Sequence, residues 1–107
     1  MKVIWSKESL DNWLEIENYI SQDSPEMAIE FTDYLNEKTK YLKDNPKIGR
    51  VVRELSKSNY RELIIKNYRL VYRVEAEEIS IVTVFESHRL FPLDHEFYYF
   101  RKIGDIL

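Results

Sequence analysis

Between Tyr60 and Phe91 the chain runs YRELIIKNYRLVYRVEAEEISIVTVFESHRLF, three β-branched and aromatic stretches parted by short polar breaks, and this block leaves little choice of fold. Lys66-Asn67 divides Tyr60–Ile65 from Tyr68–Val74 and is a hairpin signal, while Glu75–Glu78 forms the next turn before Ile79–Phe85. A meander of antiparallel strands is expected. Arg61, Arg69, Arg73 and Arg89 are out of keeping with strand composition and suggest a sheet surface turned toward something negatively charged. The two-residue period puts Arg69, Val71 and Arg73 on one side of the second strand and Leu70, Tyr72 and Val74 on the other. The apolar side should face the helices. The facing of Arg61 is left open, because one residue more or fewer in the first turn reverses it.

Upstream, Lys2-Val3-Ile4-Trp5 reads as a short strand and Ser6 as the N-cap of a helix over Lys7–Ser21, with Leu10, Trp13, Leu14 and Ile20 at helical spacing. Asp23-Ser24-Pro25-Glu26 starts a second helix: Ser24 as cap, Pro25 where its missing N–H costs nothing, and Glu26 favourable to the dipole. Ala28, Phe31, Leu35 and Leu42 keep that helix amphipathic until Asn45-Pro46 stops it. The short connection predicts an antiparallel helical hairpin. Arg50–Leu55 follows as an extended segment or brief strand, and Ser56–Asn59 is a polar break. After Pro92 comes an aromatic-rich tail, Leu93-Asp94-His95-Glu96-Phe97-Tyr98-Tyr99-Phe100, expected to dock on the sheet edge or core.

A chain of 107 residues is the size of one domain, so residues 1–107 are read as a single unit with one site. Having no Cys, it can form no disulfide, thiolate metal site or Cys nucleophile, and with glycine only at 49 and 104 it lacks a dinucleotide or phosphate loop. Asp94, His95 and Glu96 are too close in sequence to converge on one ion, so neither metal nor cofactor is expected. No apolar run approaches the roughly 20 residues that span a bilayer, and a soluble, cytoplasmic protein is expected. The net charge of −3 conceals a segregation: −5 over residues 1–45, +6 over 46–73 and −4 over 74–107. A basic middle flanked by acidic ends can make a local positive patch, although the acidic balance weakens the case for broad nucleic-acid binding.

Taken in order, Val3-Ile4-Trp5-Ser6, the helical hairpin, Asn45-Pro46, Gly49-Arg50, Glu54-Leu55, Tyr60-Arg61-Glu62-Leu63, Tyr68-Arg69-Leu70-Val71-Tyr72-Arg73-Val74 and Ser87-His88-Arg89 resemble the toxins of the RelE/ParE superfamily. These are the small partners in bacterial toxin–antitoxin and plasmid-stabilisation modules. The resemblance implies an α+β fold, with an N-terminal strand and a two-helix hairpin packed on a twisted, mainly antiparallel sheet. It implies a cognate antitoxin as partner and growth inhibition as the outcome. It also implies one of two targets: mRNA cut at the ribosome, as in the RelE branch, or DNA gyrase, as in the ParE branch; some relatives have lost toxicity. Carried over by position, Arg69 matches the phosphate-contacting Arg of the Tyr-Arg-Leu-Val-Tyr block, Arg89 the Arg after the last strand, and Arg61 a basic position on the preceding strand. Leu63 departs from the RelE branch, where a second basic residue is usual, and the terminal Tyr or His of that branch has only loose candidates in His95, Tyr98 and Tyr99.

Metal-free RNA cleavage needs a group to take the 2′-hydroxyl proton, cations for the developing charge, and a donor to the leaving oxygen. Arginine serves the second role but is a poor base. The expected catalytic set is therefore Arg61, Arg69, Arg89 and His88, the last as acid or base because histidine titrates near neutrality, with Glu86 as alternative base and Tyr98 as donor. Arg53, Lys66 and Arg73 are the expected RNA-contacting cations. Translation is the favoured target and a non-enzymatic gyrase inhibitor the alternative.

Overall fold

The computed structural model describes residues 1–55 and 59–88. Its elements are β1 (Lys2–Trp5), α1 (Lys7–Asp23), α2 (Pro25–Asp44), β2 (Arg50–Val51), β3 (Tyr60–Ile65), β4 (Tyr68–Val74) and β5 (Glu78–Glu86). Both helices start where the capping residues put them. The Ser6 hydroxyl accepts the Ser9 N–H at 3.0 Å, and Ser24 accepts that of Met27 at 3.2 Å ahead of Pro25. The chain folds as two helices on a five-stranded mixed sheet, in the order β1-β5-β4-β3-β2. β3, β4 and β5 make the antiparallel meander, β2 extends it on one side, and β1 lies parallel to β5 on the other.

The hairpin turn has two residues, with Lys66 in the left-handed region at φ 57°. Its length sets the register Ile64↔Arg69, Glu62↔Val71 and Tyr60↔Arg73. Tyr60, Glu62 and Ile64 therefore share a face with Arg69, Val71 and Arg73. Arg61, whose partner is Tyr72, belongs to the opposite face. On that opposite face Leu70, Tyr72, Ile79 and Ile81 meet Phe31, Leu35 and Leu42 of α2 in the main core. Burying each such side chain contributes on the order of 1.5–3 kcal/mol, enough to hold the hairpin against the sheet.

The face bearing Arg69 and Arg73 is not the open surface that strand alternation suggests. The segment from Pro46 to Leu55 turns back across it, and Val52 and Leu55 pack with Tyr60, Val71 and Phe85 in a second, smaller core. Tyr72 ties that segment down from the other side of the sheet. Its hydroxyl accepts the Gly49 N–H at 2.9 Å and donates to the Pro46 carbonyl at 2.8 Å. Burial pushes the Tyr72 phenol above its ordinary pKa, so it stays a neutral donor.

β5 carries one extra residue: Val71 pairs with Thr83 but Tyr72 with Ile81, which leaves Val82 in a bulge. The backbone groups around the bulge are satisfied from the start of α1. Ser6 donates its hydroxyl to the Val82 carbonyl, and the Asn12 side-chain oxygen accepts both the Val84 N–H and the Thr83 hydroxyl, each at 3.0 Å.

Candidate functional site

Four charged side chains from three consecutive pieces of chain converge on the covered face. Arg69 lies on β4, Glu62 on β3 two residues before Ile64, the residue paired with Arg69, Arg50 on β2, and Glu54 in the turn after β2. Arg69 is 9 % exposed and Glu62 only 3 %. The Arg69 Nε donates to Glu62 Oε2 at 2.8 Å, and Nη2 donates to the same oxygen. Along its other edge Nη1 and Nη2 donate to the two oxygens of Glu54 at 2.9 and 3.0 Å, a bidentate fork. The remaining oxygen of Glu62 accepts from Arg50 Nε at 2.6 Å. Beneath the guanidinium lies the Phe85 ring, 5.2 Å from its centre.

Hydrogen bonding to Arg69 is the main influence holding the Glu54 carboxyl below its ordinary value of 4.5, and it outweighs the opposing effect of burial. The Arg69 guanidinium is correspondingly raised, first by the Glu54 bonds. Beside this network a cleft of about 250 Å³ opens, lined by Arg50, Val51, Arg53, Glu54, Glu62 and Arg69.

The residues expected at a catalytic centre are dispersed. Arg69 and Arg53 line the cleft. Arg61, on the helix side of the sheet, donates to the Gly49 carbonyl at 2.7 Å and so holds the covering segment. Arg73 is ion-paired with Glu75 and packs against the Tyr60 ring. Lys66 sits at the hairpin turn, 3.6 Å from Glu30 and over the Tyr34 ring of α2. His88 is exposed beyond the end of β5, next to Ser87, whose N–H bonds Asn67 at the turn; it is not among the cleft residues. Arg89, His95, Tyr98 and Tyr99, with the rest of the aromatic tail, lie outside the described residues. Sequence reasoning missed Glu54 and Glu62. The signal for Glu62 was present: once Lys66-Asn67 is a two-residue turn, Glu62 must share the face of Arg69, and a carboxylate there will pair with it. Among the described residues no group of three His, Asp or Glu side chains comes together as a metal would need.

An α+β domain with a helical hairpin on a mixed sheet, and an arginine-centred cleft under the segment between hairpin and meander, defines the class of small toxins to which the sequence motifs pointed. Residues 3–91 match the family described as ParE toxin of the type II toxin–antitoxin system parDE, and the chain belongs to that family. Three solved structures share the fold. A chain of the chromosomal ParDE system from P. aeruginosa is 21 % identical with a TM-score of 0.65, the match covering 80 % of this chain and 95 % of that one. The YoeB dimer from Staphylococcus aureus is 18 % identical at 0.55, covering 83 % and 98 %. The heterotetrameric YoeB–YefM toxin–antitoxin complex from the same organism is 19 % identical at 0.52, with the same coverage of 83 % and 98 %. No curated protein matches the sequence.

Proposed function

We propose that this toxin arrests growth by binding its target, DNA gyrase, and does not cut mRNA. The observation that carries this reading is the state of Arg69, whose guanidinium is engaged along both edges by Glu54 and Glu62. A cation meant to stabilise charge developing on a phosphorane must reach the phosphate, and here two carboxylates stand between them. Among the described residues the cleft is also poor in bases. Glu54 is held below its ordinary value, which weakens it as a proton acceptor at neutral pH, and His88 is placed elsewhere. A binding toxin requires none of these functions. It needs a stable surface, and a strapped sheet with the buried Glu62–Arg69 pair supplies one. Membership of the ParE family supports gyrase as the target and a cognate antitoxin as the physiological partner, with the cytoplasm as the place where both are met.

The test is inducible expression without antitoxin, with mRNA 5′ ends, translation and the DNA-damage response followed in one culture, and with gyrase supercoiling assayed on the purified protein. Expected results are a damage response, inhibited supercoiling, unchanged mRNA ends, and full toxicity in His88→Ala. New ends in ribosome-bound mRNA that disappear in His88→Ala would establish the nuclease instead. Normal growth at verified soluble levels would identify a relative without toxicity.

A further inference from the structure

The Arg69 guanidinium presents two differently built edges. Toward the sheet, Glu62 is buried and fixed between Arg69 and Arg50. Toward the cleft, the fork is filled by Glu54, whose side chain is 38 % exposed and sits at the rim in a turn. Phe85 on one side and Glu62 on the other hold the guanidinium plane in place whether or not Glu54 is there. An arginine so preorganised, with its fork opening on a cleft, is a receptor for a planar carboxylate.

We infer that the cleft of Arg50, Arg53 and Arg69 is a binding site for an acidic side chain of a protein partner, and that Glu54 is the chain's own stand-in for that carboxylate. Exchange of one carboxylate for another leaves the fork geometry and the local charge the same before and after, so both end states are satisfied. While Glu54 occupies the fork, the cleft residues sum to one positive charge; with Glu54 withdrawn the sum is two, and the arriving anion restores the first state. Arg50 is largely exposed beside the fork, and Arg53 acts on Glu54 through space, so a partner carrying further acidic groups meets more than one cation. The exposed Val51 on the cleft wall offers an apolar contact next to them. A carboxylate is favoured over a nucleic-acid phosphate because the occupant already present is a carboxylate, held in a planar bidentate fork. Glu54 competes as a tethered ligand at an effective concentration on the order of millimolar, so a lone carboxylate binds weakly and a multivalent acidic segment displaces it. The inference concerns the cleft alone and holds whichever target the toxin has.

The test uses a fluorescein-labelled peptide of alternating glutamate and valine, and an oligothymidylate of equal charge, each titrated by anisotropy against the purified full chain and its variants. Glu54→Ala should bind the peptide roughly tenfold more tightly than wild type, and Glu54→Gln, which keeps the size and part of the hydrogen bonding, should fall between them. Arg53→Ala in the Glu54→Ala background should lose most of the gain. Glu37→Ala, an equal change of net charge on the exposed face of α2, should leave affinity unchanged. In wild type, the Arg69 Nε–Hε resonance should persist while the Nη resonances shift on peptide addition. Equal affinity of Glu54→Ala, Glu54→Gln and wild type, reproduction of the gain by Glu37→Ala, or tighter binding of the oligonucleotide than of the peptide would each overturn the inference.

Discussion

A carboxylate as enclosed as that of Glu62 is tolerable only while its arginines remain, because an uncompensated charge in that position has neither water nor counter-ion. Arg69→Ala leaves Glu62 only the largely exposed Arg50 as counter-ion and should cost up to about 3–5 kcal/mol, read as a drop in the urea midpoint with unchanged slope. The double change Arg69→Met with Glu62→Leu should recover most of that loss, since well-packed apolar residues often replace a buried pair without penalty. A loss of toxicity in Arg69→Ala would thus report unfolding before it reported function. Glu54 should be felt differently. Its carboxyl lies below its ordinary 4.5 in the folded chain, so the unfolded chain binds the proton more readily. The stabilisation is present above about pH 4.5 and is lost as pH falls through the depressed value. Glu54→Gln should flatten the acid limb of a stability–pH curve and leave the alkaline limb unmoved; being partly exposed, the pair contributes modestly. That Arg69 and Arg73 share a face could be read from strand period alone. The burial of that face could not, because its cover is a loop, and loops carry no periodicity.

At the scale of elements, the segment from Pro46 to Leu55 decides what the sheet can present. Gly49 is where it comes closest: a Cβ there would stand 2.6 Å from both the Glu62 carbonyl oxygen and the Tyr72 hydroxyl, and the carbonyl is sheet backbone that cannot retreat. Gly49→Ala should lift the segment, destabilising the chain by about 1–3 kcal/mol, with amide exchange rising first at Gly49 and Val52. Tyr72→Phe should act through the same contacts by removing the partners of the Gly49 N–H and Pro46 carbonyl, at about 1–3 kcal/mol. If the exchange of Val52 stayed protected in both variants, the apolar contacts of Val52 and Leu55 alone would be holding the cover. Both helices and the meander were legible because caps, proline and alternation are local signals. The bulge at Val82 was not, since what stabilises it is Ser6 and Asn12, side chains some 70 residues away in sequence. Nor could local signals place β1 parallel to β5, a long-range pairing.

For the whole molecule, the segregated charge of the sequence suggests more positive surface than the fold leaves available. Of the basic side chains in residues 46–73, Arg50 and Arg69 are bound to Glu62 and Glu54, Arg73 to Glu75, and Lys66 to Glu30, with acidic partners drawn partly from the flanking blocks. Glu30 and Glu75 bring acidic charge from the flanking blocks onto the basic middle. Among the described residues, four cations of that block are thereby engaged by carboxylates and less available to phosphates, and each phosphate neutralised contributes about −0.9 to the slope of log affinity against log salt on duplex DNA. Binding of the purified chain to an unspecific DNA duplex should therefore show a slope no steeper than about −2 and a Kd weaker than about 10⁻⁴ M at physiological salt. A slope of about −5 would mean that the ion pairs open on contact and that their arginines transfer to the backbone. The shallow slope is what a toxin selective for a protein target requires: long-range attraction to bulk nucleic acid would sequester it, whereas recognition by shape and a few oriented charges leaves it free to find one partner.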